Sequence, residues 1–159
     1  MSDFDPGRAE RFALLDSETN ARWEGFGASG ETTFPMLLGV RVEEVRADYC
    51  RMRLPFRTEL LQAAGLLHGG AMASLLDHVV VPAVGAQLAQ GVNYSTVDMH
   101  VQFLRGVVAG EGAEDVVAEG WVVRRGRRTV FCEAEAFGGT TGKLLAKSVL
   151  TYAVSAPAS

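Results

Sequence analysis

The chain is most hydrophobic between Gly69 and Gln90. Ala71, Met72, Leu75, Leu76, Val79, Val80, Ala83 and Val84 recur there at helical spacing, and most of the intervening positions are apolar too. A helix that is apolar nearly all round has no solvent face of its own and must be wrapped by other elements. The longest run of apolar or small residues, Val79 to Ala86, is far short of the ~20 residues that a membrane span needs, so the wrapping has to be protein. Pro82 lacks an N–H and clashes one turn back, which predicts a kink or an early end to the helix.

The flanks supply the wrapping as strands. Val40, Val42 and the residues up to Arg46 alternate. Cys50, Met52 and Leu54 alternate with Arg51 and Arg53, a half-buried strand with two arginines outward, closed by Pro55. Beyond the Gly91-Val92-Asn93 break, Val97, Met99, Val101 and Phe103 alternate with Thr96, Asp98, His100 and Gln102. Asp115 to Arg125, Thr129 to Phe137 and Leu144 to Val154 are of strand length, joined by glycine turns at Gly126 and Gly138-Gly139. At the N-terminus, Asp5 can cap a helix that Pro6 starts, and Phe12, Leu15, Thr19 and Trp23 form its stripe. Gly25 to Phe34 reads as the loop that ends it. The order is helix, two strands, long buried helix, four strands. This predicts an α+β fold, one antiparallel sheet around one central helix. With 159 residues there is room for one such domain. It is expected over 35–155, with 1–34 as an N-terminal helical extension.

Composition narrows the function. The chain is 48% hydrophobic and 21% charged, which excludes intrinsic disorder. A net charge of −4 argues against a general binder of nucleic acid or anionic membrane. Two cysteines, Cys50 and Cys132, are too few for a disulfide scaffold or a four-thiolate zinc site. Met1 to Arg11 is polar and acidic, without the apolar segment of a signal peptide. A soluble, cytoplasmic protein is expected.

Asp77 stands out, because it lies between Leu75-Leu76 and Val79-Val80-Val81. An unpaired carboxylate there would cost several kcal/mol or take up a proton. It is either paired with a polar strand group or chemically active. His68-Gly69-Gly70 heads the same helix, where two glycines admit a ligand to the backbone and the free N–H groups suit a developing oxyanion. An ordinary glycine-rich helix start, with His68 bonded to the loop, accounts for the same residues. Other motifs fail. Gly138 to Lys143 looks like a phosphate loop but has Phe137 where the pattern needs glycine and Leu144 where it needs Ser or Thr. No G-x-S-x-G elbow exists. His68, His78 and His100 have no metal-ligand spacing, so no metal is expected. The two cysteines read as buried strand residues.

Taken together, His68-Gly69-Gly70, then Asp77, then Thr96-Val97-Asp98-Met99 and Phe103-Leu104-Arg105 resemble the hotdog-fold acyl-CoA thioesterases. The likeness is to the PaaI-like branch of the 4-hydroxybenzoyl-CoA thioesterase superfamily and runs from about Pro35 to Val154. The resemblance implies a hotdog fold and hydrolysis of a coenzyme A thioester, with coenzyme A part of the substrate and no separate cofactor. It implies Asp77 as nucleophile or general base, with Gly69 N–H polarising the carbonyl. Gln62 would orient the attacking group and Thr96 would position water. His68 joins this catalytic set, and Gly70 the substrate-binding one.

Gly69 and Asp77 are about 12 Å apart along a helix rising 1.5 Å per residue, too far to serve one carbonyl within one chain. Two antiparallel copies of the helix across a two-fold axis would bring Gly69 of one chain to Asp77 of the other. A homodimer with shared sites is expected, as in hotdog dimers, and beyond it a dimer of dimers, a homotetramer. Arg124, Arg125, Arg127 and Arg128 around Gly126, with Arg105, offer forks for coenzyme A phosphates. The same cluster would also suit a solvated hairpin tip. The family has a glycine near this region, beside the pantetheine arm, which favours Gly126 in binding. The chain departs from the family at Gly106, where a proline commonly follows the arginine. Trp23, Phe26 and Phe34 would either cap an acyl pocket or pack at the surface. Two other functions stand beside hydrolysis: a hotdog dehydratase, whose histidine motifs are absent, and a non-catalytic acyl-CoA-binding protein in which Asp77 is structural.

Overall fold

A computed structural model of the chain describes residues 1–26 and 33–155. The expected loop from Gly25 to Phe34 falls largely outside these residues. Its last residue, Phe34, opens a short helix, α2 (Phe34–Leu38), with Pro35 in its first turn, after α1 (Ser17–Glu24). Strands β1 (Arg41–Arg46) and β2 (Tyr49–Leu54) precede the central helix α3 (Gly69–Gly85). Strands β3 (Asn93–Phe103), β4 (Val116–Arg125), β5 (Thr129–Gly138) and β6 (Leu144–Ser155) follow it. The six strands make one sheet in the order β1-β2-β4-β5-β6-β3, antiparallel throughout, with β1 and β3 at the edges.

The helix lies in the curve of that sheet, as its hydrophobicity requires. Leu75, Leu76, Val79, Val80, Ala83 and Val84 have no exposed surface. They meet the inward residues of the strands, among them Cys50, Met52, Ala118, Val130, Ala136 and Leu150. Gly120 lets the sheet approach the helix closely, since a Cβ there would sit 2.7 Å from Val80 Cγ1. Helix α3 ends at Gly85, short of Gln90. Pro82 falls in its last turn, where it cannot donate to His78 O, and the helix ends three residues later.

The expected N-terminal helix from Asp5 to Trp23 does not form. Asp5 Oδ1 accepts from Gly7 N–H at 3.0 Å, closing a turn instead of capping a helix. A single 3₁₀ turn spans Ala9–Arg11, and only from Ser17, capped by Asp16 accepting from Thr19 N–H at 2.8 Å, does α1 run. Tertiary contacts hold the first segment against the outer face of the sheet. Arg51, Glu119, Glu135 and Lys147 stand opposite one another on β2, β4, β5 and β6. Over this row Arg8 donates to Glu135 at 2.7 Å and faces the fully buried Glu119 at 3.3 Å. Its guanidinium lies 4.3 Å from the Trp121 ring centre. Phe12 stacks on Tyr49 and Phe4 meets Phe137 edge-on. Tyr49 and Arg51 complete the cage by donating to Glu119 Oε1 at 2.5 and 3.0 Å. A buried carboxylate needs such partners, and a continuous helix would have withdrawn Arg8 from it.

Strand β3 departs from simple alternation. Thr96 pairs with Tyr152 and Asp98 with Thr151, so Val97 is the extra residue of a bulge and is exposed. The bulge turns Thr96 to the same side as Met99, which a strict period of two would not do.

Candidate active site

Helix α3 is not buried all round. Gly70, Ala73, Ser74, Asp77, His78 and Val81, three or four apart, form a stripe that the sheet leaves partly open. Asp77 therefore stands on an accessible face beside the edge strand, not in the core. The bulge in β3 presents Thr96 to it, and Thr96 Oγ1 donates to Asp77 Oδ1 at 2.7 Å. This is the polar strand partner that the apolar surroundings demanded. His78, about a quarter-turn on, bonds through Nδ1 to Ser74 O. Its ring lies 5.6 Å from that of Phe34 and 6.3 Å from that of Phe26. Those two aromatics border the open stripe. Trp23 instead packs at the far end of α3, against Gly85.

At the start of α3, His68 caps the helix with its ring, Nδ1 accepting from Gly70 N–H at 2.8 Å. That leaves the neighbouring Gly69 N–H, at the positive end of the helix, without an acceptor among the described residues. Gly69 lines a cleft of about 290 Å³ with Gln62, Leu66, Met72, Phe103 and Arg105. Gln62 Oε1 accepts from Ala64 N–H at 2.9 Å, which fixes the amide while its NH₂ stays unpaired among the described residues. Arg105 donates to Leu144 O at 2.6 Å and lies 3.8 Å from Asp3. His68 and Gly70 line a separate cleft, with Phe34, Leu38 and Ser74.

The third group sits at the other end of α3. Gly126 N–H donates to Thr129 O at 2.8 Å, and a Cβ on Gly126 would lie 2.9 Å from that oxygen, so the β4–β5 hairpin requires glycine. Arg124, Arg127 and Arg128 are exposed and have no carboxylate partner among the described residues. Arg125 is different in kind. It bonds Asp48 through Nε at 3.2 Å and Val84 O at 3.2 Å, tying the hairpin to the C-terminal end of α3. Sequence reasoning placed it with the phosphate ligands, because spacing in a cluster does not reveal which arginine meets helix carbonyls.

Within one chain, then, Gln62, Gly69 and Arg105 come together. Asp77 and Thr96 form a second pair, and Gly126, Arg127 and Arg128 lie a helix length from the first group. Phe103, which faces Gly69 across the cleft at 3.4 Å from where a Cβ would stand, was missed as a site residue. Its alternation marked it as a strand residue, and the Phe103-Leu104-Arg105 motif gave it no role in the site. The cysteines offer no nucleophile: both are buried, and burial pushes the Cys132 thiol up to about 12 and the Cys50 thiol well above its usual value. The Gly138 to Lys143 turn is filled from within, because the Glu114 carboxylate accepts from Thr140 and Thr141 N–H at 2.9 Å each. An anion already holds the groups a phosphate would need.

Known proteins share this fold. The family model of the thioesterase superfamily matches residues 64–144, from before the helix start to the first residue of β6. Acyl-coenzyme A thioesterase 13 of Homo sapiens is 30% identical over 98 residues, 62% of this chain and 66% of that protein. A mutant thioesterase from Pseudomonas aeruginosa superposes with a TM-score of 0.74 at 25% identity, over 82% of this chain and 91% of the other. The E. coli PaaI protein from the phenylacetic acid degradation operon superposes with a TM-score of 0.74, over 89% of this chain and 96% of the other; at 18% identity it shows the fold. With a six-stranded sheet around α3 and a family match spanning Gly69, Asp77 and Thr96, the chain belongs to the thioesterase superfamily, as a thioester hydrolase of the hotdog fold.

Proposed function

We propose that the protein hydrolyses the thioester of an acyl-coenzyme A carrying an aryl or a short- or medium-chain acyl group. The observation that carries this reading is the Gly69 N–H, without an acceptor among the described residues, in a cleft that Gln62 also lines. A thioester carbonyl oxygen accepting from that N–H becomes more electrophilic, and the helix end stabilises the charge that develops on it. Asp77, one Oδ held by Thr96, supplies the base. Its free oxygen takes a proton from water as the water adds to the carbonyl carbon. The C–S bond then breaks, and the coenzyme A thiolate leaves and takes up that proton.

Because Gly69 and Asp77 of one chain are about 12 Å apart along α3, the base serving each carbonyl is Asp77 of the partner subunit in a homodimer with antiparallel helices. That packing also sets the C-terminal end of one α3 beside the N-terminal end of the other. It brings Gly126, Arg127 and Arg128 to the mouth of the cleft that Gly69, Gly70 and Arg105 begin. There the arginines meet coenzyme A phosphates, while Gly126 lies along the pantetheine arm. His68 acts in this scheme by occupying Gly70 N–H, so that Gly69 N–H is the one presented. Phe26 and Phe34 form an apolar border for the acyl group. Two such dimers assemble as a tetramer. No cofactor or nucleic-acid partner enters this reading. No helix of the described residues is long and apolar enough to cross a membrane. The two free thiols fit a reducing compartment, and the cytoplasm is the location proposed.

Release of free thiol from a panel of acyl-coenzyme A thioesters tests the activity and identifies the acyl group. In that assay Asp77→Ala lowers kcat by about 100-fold or more, the scale of a lost general base. Wild-type turnover by a folded Asp77→Ala protein refutes the mechanism.

A further inference from the structure

We propose that Tyr152 is a positioning residue of this site, its hydroxyl holding the helix turn of Asp77 in register with Thr96. The inference rests on the reading of Asp77 as the base. Tyr152 lies on β6, fully enclosed at 1% exposure, and its hydroxyl donates to the main-chain oxygen of Asp77 at 3.2 Å. Thr96 stands directly opposite Tyr152 in the β3–β6 ladder, and both side chains bond Asp77. Thr96 in turn donates to Asp77 Oδ1 at 2.7 Å. Three groups close a ring. Tyr152 grips the backbone of Asp77, Thr96 grips its carboxylate, and the two grips adjoin across one rung of the sheet.

The turn needs such a brace. Pro82 has no N–H to offer His78 O, so the helix loses a bond in the turn from His78 to Pro82, directly after Asp77. Two tyrosines of the sheet brace that turn from outside. Besides Tyr152 at Asp77 O, Tyr94 donates to Val81 O at 3.3 Å, four residues on. Of the two, Tyr152 is the one paired with Thr96 across the ladder, whereas Tyr94 pairs with Val154, so it is Tyr152 that couples the turn to the group that orients the carboxylate. Burial, with the Asp77 charge adding to it, pushes the Tyr152 phenol far above its ordinary value. It remains a neutral donor at any assay pH.

The bulge at Val97 completes the arrangement. A strand of strict alternation that directed Met99 and Val101 to the core would point Thr96 away from α3. The extra residue turns Thr96 back, onto the rung it shares with Tyr152.

The test is steady-state thiol-release kinetics on wild type, Tyr152→Phe and Tyr94→Phe, each also in an Asp77→Asn background, with urea unfolding of every variant. Tyr152→Phe keeps the ring and removes one hydrogen bond, so kcat falls about fivefold to tenfold while KM stays within about twofold. Tyr94→Phe removes the matching brace one turn away and leaves kcat within about twofold of wild type. In the Asp77→Asn background Tyr152→Phe costs nothing further, because groups that act through one another are not additive. Equal losses in kcat for both tyrosine variants, or an unchanged fold-loss in the Asp77→Asn background, make the hydroxyl a structural brace alone and overturn the proposal. Wild-type kcat in Tyr152→Phe overturns it, as does a Tyr152→Phe protein that fails to fold. Should Asp77→Asn itself turn over like wild type, the reading of the site fails and this inference falls with it. If Asp77→Asn is impaired and Tyr152→Phe is not, the inference alone is wrong.

Discussion

A mixture of two inactive variants should recover activity if the site is shared. Gly69→Val fills the space at the oxyanion position. A Cβ on Gly69 would stand 3.4 Å from the Phe103 ring, ordinary contact, and Gly69 is not among the residues with positive φ. The Cβ is therefore accommodated, and the two valine methyls add bulk at the oxyanion position. Asp77→Ala removes the base and its bond to Thr96. Alone, each homodimer carries a lesion in both sites. Unfolded and refolded together in equal amounts, the chains pair at random, and half the dimers are mixed. In a mixed dimer both lesions fall in one site and the other is intact, since a two-fold interface draws each site from both chains. Activity should thus return to about a quarter of the wild-type value per mole of protein, measured as thiol release after refolding. It should rise and fall with the fraction of mixed dimer as the input ratio is varied. If Gly69 and Asp77 act within one chain, every site in the mixture carries a lesion. Silence from a mixture whose parents refold and dimerise like wild type refutes the ~12 Å argument.

Further outcomes follow from other parts of the molecule. Replacing Arg127 and Arg128 with alanine should raise KM for an acyl-coenzyme A but not for the matching pantetheine thioester, which lacks the nucleotide phosphates; equal effects on both would make the hairpin tip a solvated surface. Gly120→Ala should destabilise the fold by about 1–3 kcal/mol in urea unfolding, the usual cost of overpacking, because its Cβ would lie 2.7 and 2.8 Å from the Val80 and Val79 methyls. A neutral effect would mean that helix and sheet separate freely there. For Glu135, burial raises the carboxyl pKa, but hydrogen bonds from Lys147 and Arg8 outweigh it and leave it below its ordinary 4.5. A carboxyl lowered in the folded state stabilises fully above its unfolded value and loses that contribution as pH falls through the folded one. Acid unfolding should therefore steepen below about pH 4.5, and Glu135→Gln should flatten that limb; an unchanged limb would show that the pair adds nothing.

Much of the fold was legible because its signals are local. The helical stripe from Ala71 to Val84 and the alternation of Cys50, Met52 and Leu54 each bury one face by a short-range periodicity, and the glycines at Gly126 and Gly138-Gly139 mark the turns between strands. Those signals matched α3, β2 and the β4–β5–β6 meander. The Gly69 to Asp77 spacing was likewise readable, since helical rise converts residue number into distance. The rest depended on contacts between residues far apart in the chain. Phe12, Leu15, Thr19 and Trp23 kept helical spacing, yet the segment is broken because Arg8 is drawn to Glu119 and Glu135, more than a hundred positions away. A buried carboxylate outweighs a few tenths of a kcal/mol of helix propensity per residue. The bulge at Val97 left no mark in the alternation, because Val97 is apolar and yet exposed; pairing with β6 decided it. Arg125 was indistinguishable from its neighbours until the C-terminal end of α3 came to rest against it. Sequence alone determined which segments bury a face and how far apart the candidate base and oxyanion groups lie along one helix. Tertiary structure decided which face of that helix stays open and which strand residue meets Asp77. Those are properties of the packed surfaces, and no single segment carries them.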